Sequence, residues 1–340
     1  MVRKKRAAIC AVMNNREYLN EIAADIAYAW DLHIKYSNNE LMMQTSGDDG
    51  DAVCYLCLDG GVDDAGQSLQ RDCACRGSDA GFVHLACLAS YAIAKSMQTN
   101  EMNEFRDLWT NCPSCHQEYQ NELGIDIASK FVSFVRRQYP KDTQLQVESL
   151  DLKLRALMDV FDRLQPVQKK EAKVTANVLL SLIDRTKTVV SPLPMRYSQF
   201  QAFAYNVHGW IALDEGTEES ARRAVVHFEK ELEVYEAIGD AEGIAIAKRN
   251  IAVAKSKYEG GSNNGELLKA SQELYELRIA EDGEENEYTI IAGKIYAINL
   301  QKANRGDEAR ELLTKLLVTS KQVLGSDHST TKMVASILKW

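Results

Sequence analysis

CYLCLDGGVDDAGQSLQRDCACRGSDAGFVHLACL, residues 54–88, holds five cysteines and one histidine, and CPSC at 112–115 adds two more cysteines. In order these are Cys54, Cys57, Cys73, Cys75, His84, Cys87, Cys112 and Cys115, spaced C-x2-C, x15, C-x-C, x8, H-x2-C, x24, C-x2-C. Eight ligands suffice for two tetrahedral zinc ions, and only Cys10 of the chain's 8 cysteines lies outside the stretch. In C-x2-C both sulfurs can turn toward one ion at about 2.3 Å, and H-x2-C does the same with one imidazole. Four pairs therefore make two sites, and spacing alone permits sequential or crossed pairing. Disulfides do not fit cysteines paired at metal-ligand spacing. Rich in Gly and Asp, with no sustained periodicity in its first half, the segment cannot build a large core and needs metal to fold.

Outward from this module, TSGDDGD (45–51) reads as a polar linker. Before it, Tyr18, Ile22, Ile26, Trp30 and Ile34 recur every four residues and predict one amphipathic helix within 14–44. After about residue 121 helical periodicity dominates. Helices are expected at 124–138, 143–164, 166–187 and 196–214, punctuated by Pro140, Pro166, Pro192 and Pro194, with Pro166 suited to a first turn.

The last third repeats itself. Gly216, Gly260 and Gly306 each separate two helical stretches. IGDAEG (238–243), EDGEENE (281–287) and LGSDHST (324–330) interleave them, and each precedes a helix rich in small residues. A period of about 42–46 residues with two helices per unit predicts a stacked solenoid. Ala245, Ala247, Ala252, Ala254, Ala292, Gly293 and Ala297 would let neighbouring helices approach closely. The domain reading is thus an N-terminal helix and linker (1–50), a zinc finger (51–120), a helical spacer (121–200) and helical repeats (201–340). The last unit stops at Trp340, just inside a final helix, so an apolar end surface is expected there, which suggests a partner, self-association or an incomplete sequence.

Ligand order and gaps resemble the RING-CH (RING-variant) finger, whose ligands run four Cys, one His, three Cys. CRGS (75–78) before FVHLACL (82–88), and DLWTNCPSC (107–115), resemble segments of that family. The PHD finger shares the order but prefers a wider third pair and fewer residues before the His. What the RING-CH resemblance implies is crossed pairing: Cys54, Cys57, His84 and Cys87 on one zinc; Cys73, Cys75, Cys112 and Cys115 on the other. It implies a cross-brace with two closed, structural zinc ions, and a protein that binds a ubiquitin-conjugating enzyme and acts as a ubiquitin-protein ligase. Leu56, Trp109 and Pro113 occupy positions comparable to that family's partner-binding surface. The cation that many active RING ligases carry after the last pair is replaced here by His116 and Gln117. The resemblance implies no catalytic nucleophile in this chain.

LGSDHSTT (324–331) resembles the loop of kinesin-light-chain-type tetratricopeptide repeats, which implies protein or peptide recruitment by the repeats. The expected fold is mostly α: a small two-zinc RING-variant finger followed by an α-helical tetratricopeptide-like solenoid.

Composition bounds the rest. The chain has 340 residues, 45% hydrophobic and 26% charged, with net charge -9. That acidity disfavours sequence-independent phosphate-backbone binding, so no nucleic-acid partner is expected. No run is long and apolar enough for a membrane span. MVRKKRAAICAVM lacks a small-residue cleavage site, so a soluble cytoplasmic or nuclear protein is expected. His208 and His227 read as packed histidines. EKELE (229–233) reads as a solvated face.

Overall fold

The computed structural model describes residues 52–63, 66–71, 81–99, 102–189, 193–258, 264–326 and 328–338. The N-terminal helix and linker expected over 14–51, and Cys73 and Cys75, lie outside the described residues. The chain divides into two compact units, 1–191 and 192–340.

Among the described residues the first unit holds five α-helices: α1 (Leu85–Ser96), α2 (Met102–Thr110), α3 (Asn121–Gln138), α4 (Thr143–Asp159) and α5 (Pro166–Val189). Asp142 accepts from the Leu145 amide at 3.0 Å and caps α4. The helix expected to reach residue 164 ends earlier, followed by a 3-10 turn at Phe161–Arg163. Pro166 begins α5, where its missing N–H costs nothing.

One core runs from the cysteine module into these helices. Cys54, Val83, Leu85, Leu88, Trp109 and Cys112 pack with Leu123, Ile127, Phe131, Phe134, Leu145 and Leu152. Trp109 stacks on Phe131 and Phe134, with ring centroids at 5.0 and 5.3 Å. Its Nε1 donates to Ser96 Oγ at 2.9 Å, satisfying the buried indole.

The second unit contains α6 (Met195–Asp214), α7 (Glu218–Ile238), α8 (Ala241–Ser256), α9 (Asn264–Asp282), α10 (Glu287–Lys302), α11 (Gly306–Val323) and α12 (Ser329–Ile337). Each packs on its sequence neighbours, and α10 also touches α12. Short loops make successive neighbours antiparallel. This is the nearest-neighbour order of a helical-pair solenoid, as the repeat period predicts.

The interleaved loops end one helix and start the next. Gly239, at φ 71, closes α7 in the left-handed conformation that glycine adopts without a Cβ clash. Asp240 accepts from the Gly243 amide at 2.9 Å and opens α8. Asn286 and His328 take the same capping role at α10 and α12. Close packing accounts for the small residues: Ala247, Ala254 and Ala297 are fully buried. At Gly209 a Cβ would enter the Phe228 ring, so only glycine lets α6 lie against α7 there.

His208 and His227 stack at 5.1 Å, as packed side chains. EKELE is not wholly a solvated face: Glu231 is 1% exposed. Asn206 Nδ2 donates to it at 2.9 Å and Asn250 Nδ2 at 3.4 Å, joining α6, α7 and α8 through one carboxylate. Burial pushes the Glu231 pKa up to about 7 against the lowering pull of both amides and Arg249.

Among the described residues no helix is long and apolar enough to cross a membrane.

Candidate metal centre

The first cysteine pair sits on a tight knuckle. The Leu58 amide donates to Cys54 O at 2.8 Å, and the Cys54 amide donates to Asp59 O at 2.9 Å. Leu58 closes the turn at φ 65, a left-handed conformation that a branched residue adopts only at a cost in strain. Tyr55, inside the knuckle, donates its amide to Phe82 O at 3.0 Å and so lays the knuckle beside the segment leading to His84. That segment is held from its other edge by a two-way backbone bridge between Gln70 and Val83, both bonds 2.9 Å. His84 is then the residue before α1. Its carbonyl accepts the Leu88 amide, and its ring is left out of capping. Cys87 lies three residues on, in the first turn, so both side chains emerge from one end of the helix.

These constraints converge. The donor atoms of Cys54, Cys57, His84 and Cys87 all lie within 4.8 Å of one another. Nδ1 of His84 is 3.4 Å from Cys57 Sγ and 3.9 Å from Cys87 Sγ. A tetrahedral Zn²⁺ with ordinary bond lengths has S···N edges of about 3.6 Å and S···S edges of about 3.8 Å, so the donor set fits such an ion. The other ring nitrogen, Nε2, faces Gly61 O at 3.4 Å, a contact that orients Nδ1 inward when Nε2 carries the proton. His84 itself is 3% exposed.

Electrostatics favour a cation at this spot. Burial works to raise the Cys54 pKa, but the backbone amides of Cys57, His84 and Leu56 outweigh it and bring the thiol to about 7. Burial, then the neighbouring Cys57 and Cys54 sulfurs, push Cys87 up to about 12. Raised in this way, the Cys87 thiol resists ionisation, and a divalent ion removes that resistance.

The second C-x2-C repeats the first in backbone detail. The His116 amide donates to Cys112 O at 2.8 Å, the Cys112 amide to Gln117 O at 2.9 Å, and His116 takes φ 58. Residue for residue these match Leu58, Cys54, Asp59 and the φ of Leu58. The five described cysteines, Cys54, Cys57, Cys87, Cys112 and Cys115, are all free of disulfides. Cys73 and Cys75 fall outside the described residues.

Leu56 is half-buried against the module's core, and Pro113 is half-buried in the second knuckle. Trp109 is 1% exposed, so its side chain supports the finger from within. Sequence reasoning missed Phe131 and Phe134 as the platform for Trp109. Their i, i+3 spacing on an amphipathic helix was the available signal.

No family model matches the chain, and no curated protein matches it. Among solved structures, it is similar to nearly identical TPR-like repeats described as a kinesin light chain of Podosopora anserina, at 14% identity and TM-score 0.36. A second structure, of a single-residue variant of those repeats, gives 14% identity and TM-score 0.38. Each alignment covers 70% of this chain and 95% of the other. Overlap at that level is loose, and the repeat architecture stands on the chain's own helix pairing and caps.

Proposed function

We propose that this chain is a zinc-binding protein of the RING-CH type that works as a ubiquitin-protein ligase. In this reading Cys54, Cys57, His84 and Cys87 hold one structural zinc, and Cys73, Cys75, Cys112 and Cys115 hold a second. The observation that carries it is the meeting of the first and third ligand pairs around one point, across the intervening second pair. Sequential pairing would instead unite Cys54 and Cys57 with Cys73 and Cys75. The matching backbone of the two knuckles supports a second site of the same kind.

A zinc ion with four protein ligands keeps no open position, so it shapes the fold and activates no water. The chain's own contribution is a surface. Leu56 and Pro113 would dock a ubiquitin-conjugating enzyme, with Trp109 stiffening the platform beneath. The conjugating enzyme carries ubiquitin as a thioester. A substrate amine attacks that carbonyl and the thiol leaves, while this chain supplies proximity and orientation. The repeats from residue 201 onward would recruit the protein or peptide substrate. Reduced, metal-held cysteines suit the cytosol or nucleus.

Autoubiquitination with a panel of conjugating enzymes tests this. Activity that is lost in a Cys54→Ser, His84→Ala double variant supports the reading; equal output from both proteins under every enzyme sinks it.

A second reading is a protein-interaction scaffold whose finger activates nothing. It is favoured by His116 and Gln117, both exposed, standing where active RING ligases commonly carry a cation. Capture of a conjugating enzyme without ubiquitin transfer would select it.

A further inference from the structure

Arg249 of α8 and Lys294 of α10 are both half-buried. Ala245 and Ile246 of α8 pack on the core that holds Ile290 and Ala297 of α10, so the two helices lie together. Among the described residues neither cation forms an ion pair. Lys294 Nζ meets Met333 Sδ of α12 at 3.7 Å, and a thioether is a weak acceptor. Arg249 Nη1 donates to Asn250 Oδ1 at 3.3 Å, while its Nε–H is buried with no acceptor.

The charges around this pair do not balance. Burial pulls the Lys294 pKa down and the Arg249 charge pulls it further, so the guanidinium acts on the ammonium. No acid opposes that pull on Lys294. Burial also lowers the Arg249 pKa, and Glu231 is the acid that pulls it back. Glu231 is itself held by Asn206 and Asn250, and with a pKa of about 7 much of it is uncharged near neutral pH. One partly ionised carboxylate thus stands against two cations. Like charges so placed repel, and a desolvated cation without a full counter-charge is costly. A lysine stem can cover apolar surface while its ammonium reaches water. Here the ammonium is itself partly withdrawn from water beside a guanidinium, which packing does not require.

We infer that Arg249 and Lys294 together bind a phosphate-class oxyanion, free or as a phosphate monoester, the guanidinium taking two oxygens and the ammonium a third. The Nε–H that lacks an acceptor supplies one donor of the fork when that edge turns to the anion. A carboxylate has two oxygens, which a guanidinium fork occupies by itself, leaving the ammonium unmatched. A phosphate monoester offers three oxygens and about −1.5 to −2 charge at pH 7, which suits two cations on different helices. The inference is independent of the zinc and ligase reading, since no residue of the metal centre takes part.

The test uses the zinc-replete full-length chain in phosphate-free buffer at constant ionic strength. Inorganic phosphate, O-phosphoserine and acetate are titrated separately, with melting temperature and calorimetric heat as readouts. Phosphate should bind saturably and raise the melting temperature. Phosphoserine binding alongside it assigns the site to esters, and phosphate binding alone assigns it to the free anion. Lys294→Met should weaken phosphate binding at least tenfold, and Arg249→Lys, which keeps charge without the fork, should weaken it severalfold. In the absence of phosphate, Lys294→Met should be no less stable than the parent, because it removes the cation that no acid offsets. The proposal is overturned if wild type shows no saturable response, if acetate competes as well as phosphate, or if Lys294→Met binds like wild type. Equal destabilisation of Lys294→Met with and without phosphate would reduce Lys294 to packing and overturn it too. Should Lys294→Met fail to fold, Arg249→Lys decides by the same affinity criterion.

Discussion

The amide of Tyr55 donates to the carbonyl of Phe82 at 3.0 Å, and that bond joins two segments 27 residues apart at the point where their cysteine and histidine ligands meet. Among the described residues, apart from the Gln70–Val83 bridge, the module's other backbone bonds are local ones within knuckles, turns and helix ends. The described part of it contains isolated bridges (Val62 with Ser68, Gln70 with Val83, Asn111 with Glu118) and no longer ladder. So little secondary structure cannot hold three thiols and an imidazole in place by itself.

Metal removal should therefore unfold the finger. Metal binding to a site of this type supplies on the order of 10 kcal/mol or more of folding free energy. The purified chain should carry about two zinc ions per polypeptide. After chelation, far-ultraviolet circular dichroism should keep most of its helical signal, because α6 to α12 belong to the other compact unit. Limited proteolysis should then cut within 52–120 and spare the segment after residue 193. Loss of the whole helical signal on chelation would contradict this.

Trp109→Ala should destabilise the first unit by about 3–5 kcal/mol, the usual cost of truncating a buried large aromatic. The side chain is 1% exposed and stacks on two phenylalanines. Trp109→Phe should cost less, but it leaves the Ser96 hydroxyl without its indole donor. Urea titration followed by circular dichroism measures both. A cost under about 1 kcal/mol for the alanine variant would show that the stack contributes little.

The parts of the molecule written in local chemistry were legible. Asp240, Asn286 and His328 cap helices from side chains two or three residues away, and each lies in a punctuating loop visible in the sequence. The Cys and His ligands announce themselves by type and gap. Contacts made at long range were not legible. Trp109 and Phe131 are 22 residues apart; the i, i+3 spacing of Phe131 and Phe134 marks an apolar helix face but does not name Trp109 as what stacks on it. The charged run 229–233 looks solvated because charge usually is. Glu231 is buried only because Asn206 and Asn250 arrive from two other helices to receive it. The left-handed turns at Leu58 and His116 carry no glycine to reveal them.

On the proposed ligase reading, Leu56→Asp should abolish ubiquitin transfer while leaving zinc content near two per chain. Leu56 is half-buried, packed on the core through part of its surface with the rest open. In that reading a charge there spoils the apolar face offered to the conjugating enzyme, while the Leu56 backbone amide that acts on Cys54 is kept. Pro113→Ala should lower transfer less, because it removes less apolar surface. Elemental analysis beside the transfer assay separates the outcomes. Zinc loss in parallel with activity would assign Leu56 to the fold and not to docking.

Glu231→Gln should flatten the pH dependence of the second unit's stability. The native pKa of Glu231 is raised from 4.5 to about 7. Between those values the native state binds more proton than the unfolded chain, so stability falls as pH rises through that window. Below about 4.5 the native and unfolded carboxyls are both protonated and the penalty is absent; above about 7 it is fully present. Its size is on the order of 3 kcal/mol for a shift of this extent. Gln keeps an acceptor for Asn206 and cannot ionise, so the slope it removes is the one the carboxylate imposes. Arg249 and Asn250 remain as neighbours in both proteins. Denaturation midpoints at pH 5, 6, 7 and 8 for wild type and variant give the comparison. Parallel curves would show that Glu231 titrates in the native protein as it does in the unfolded chain.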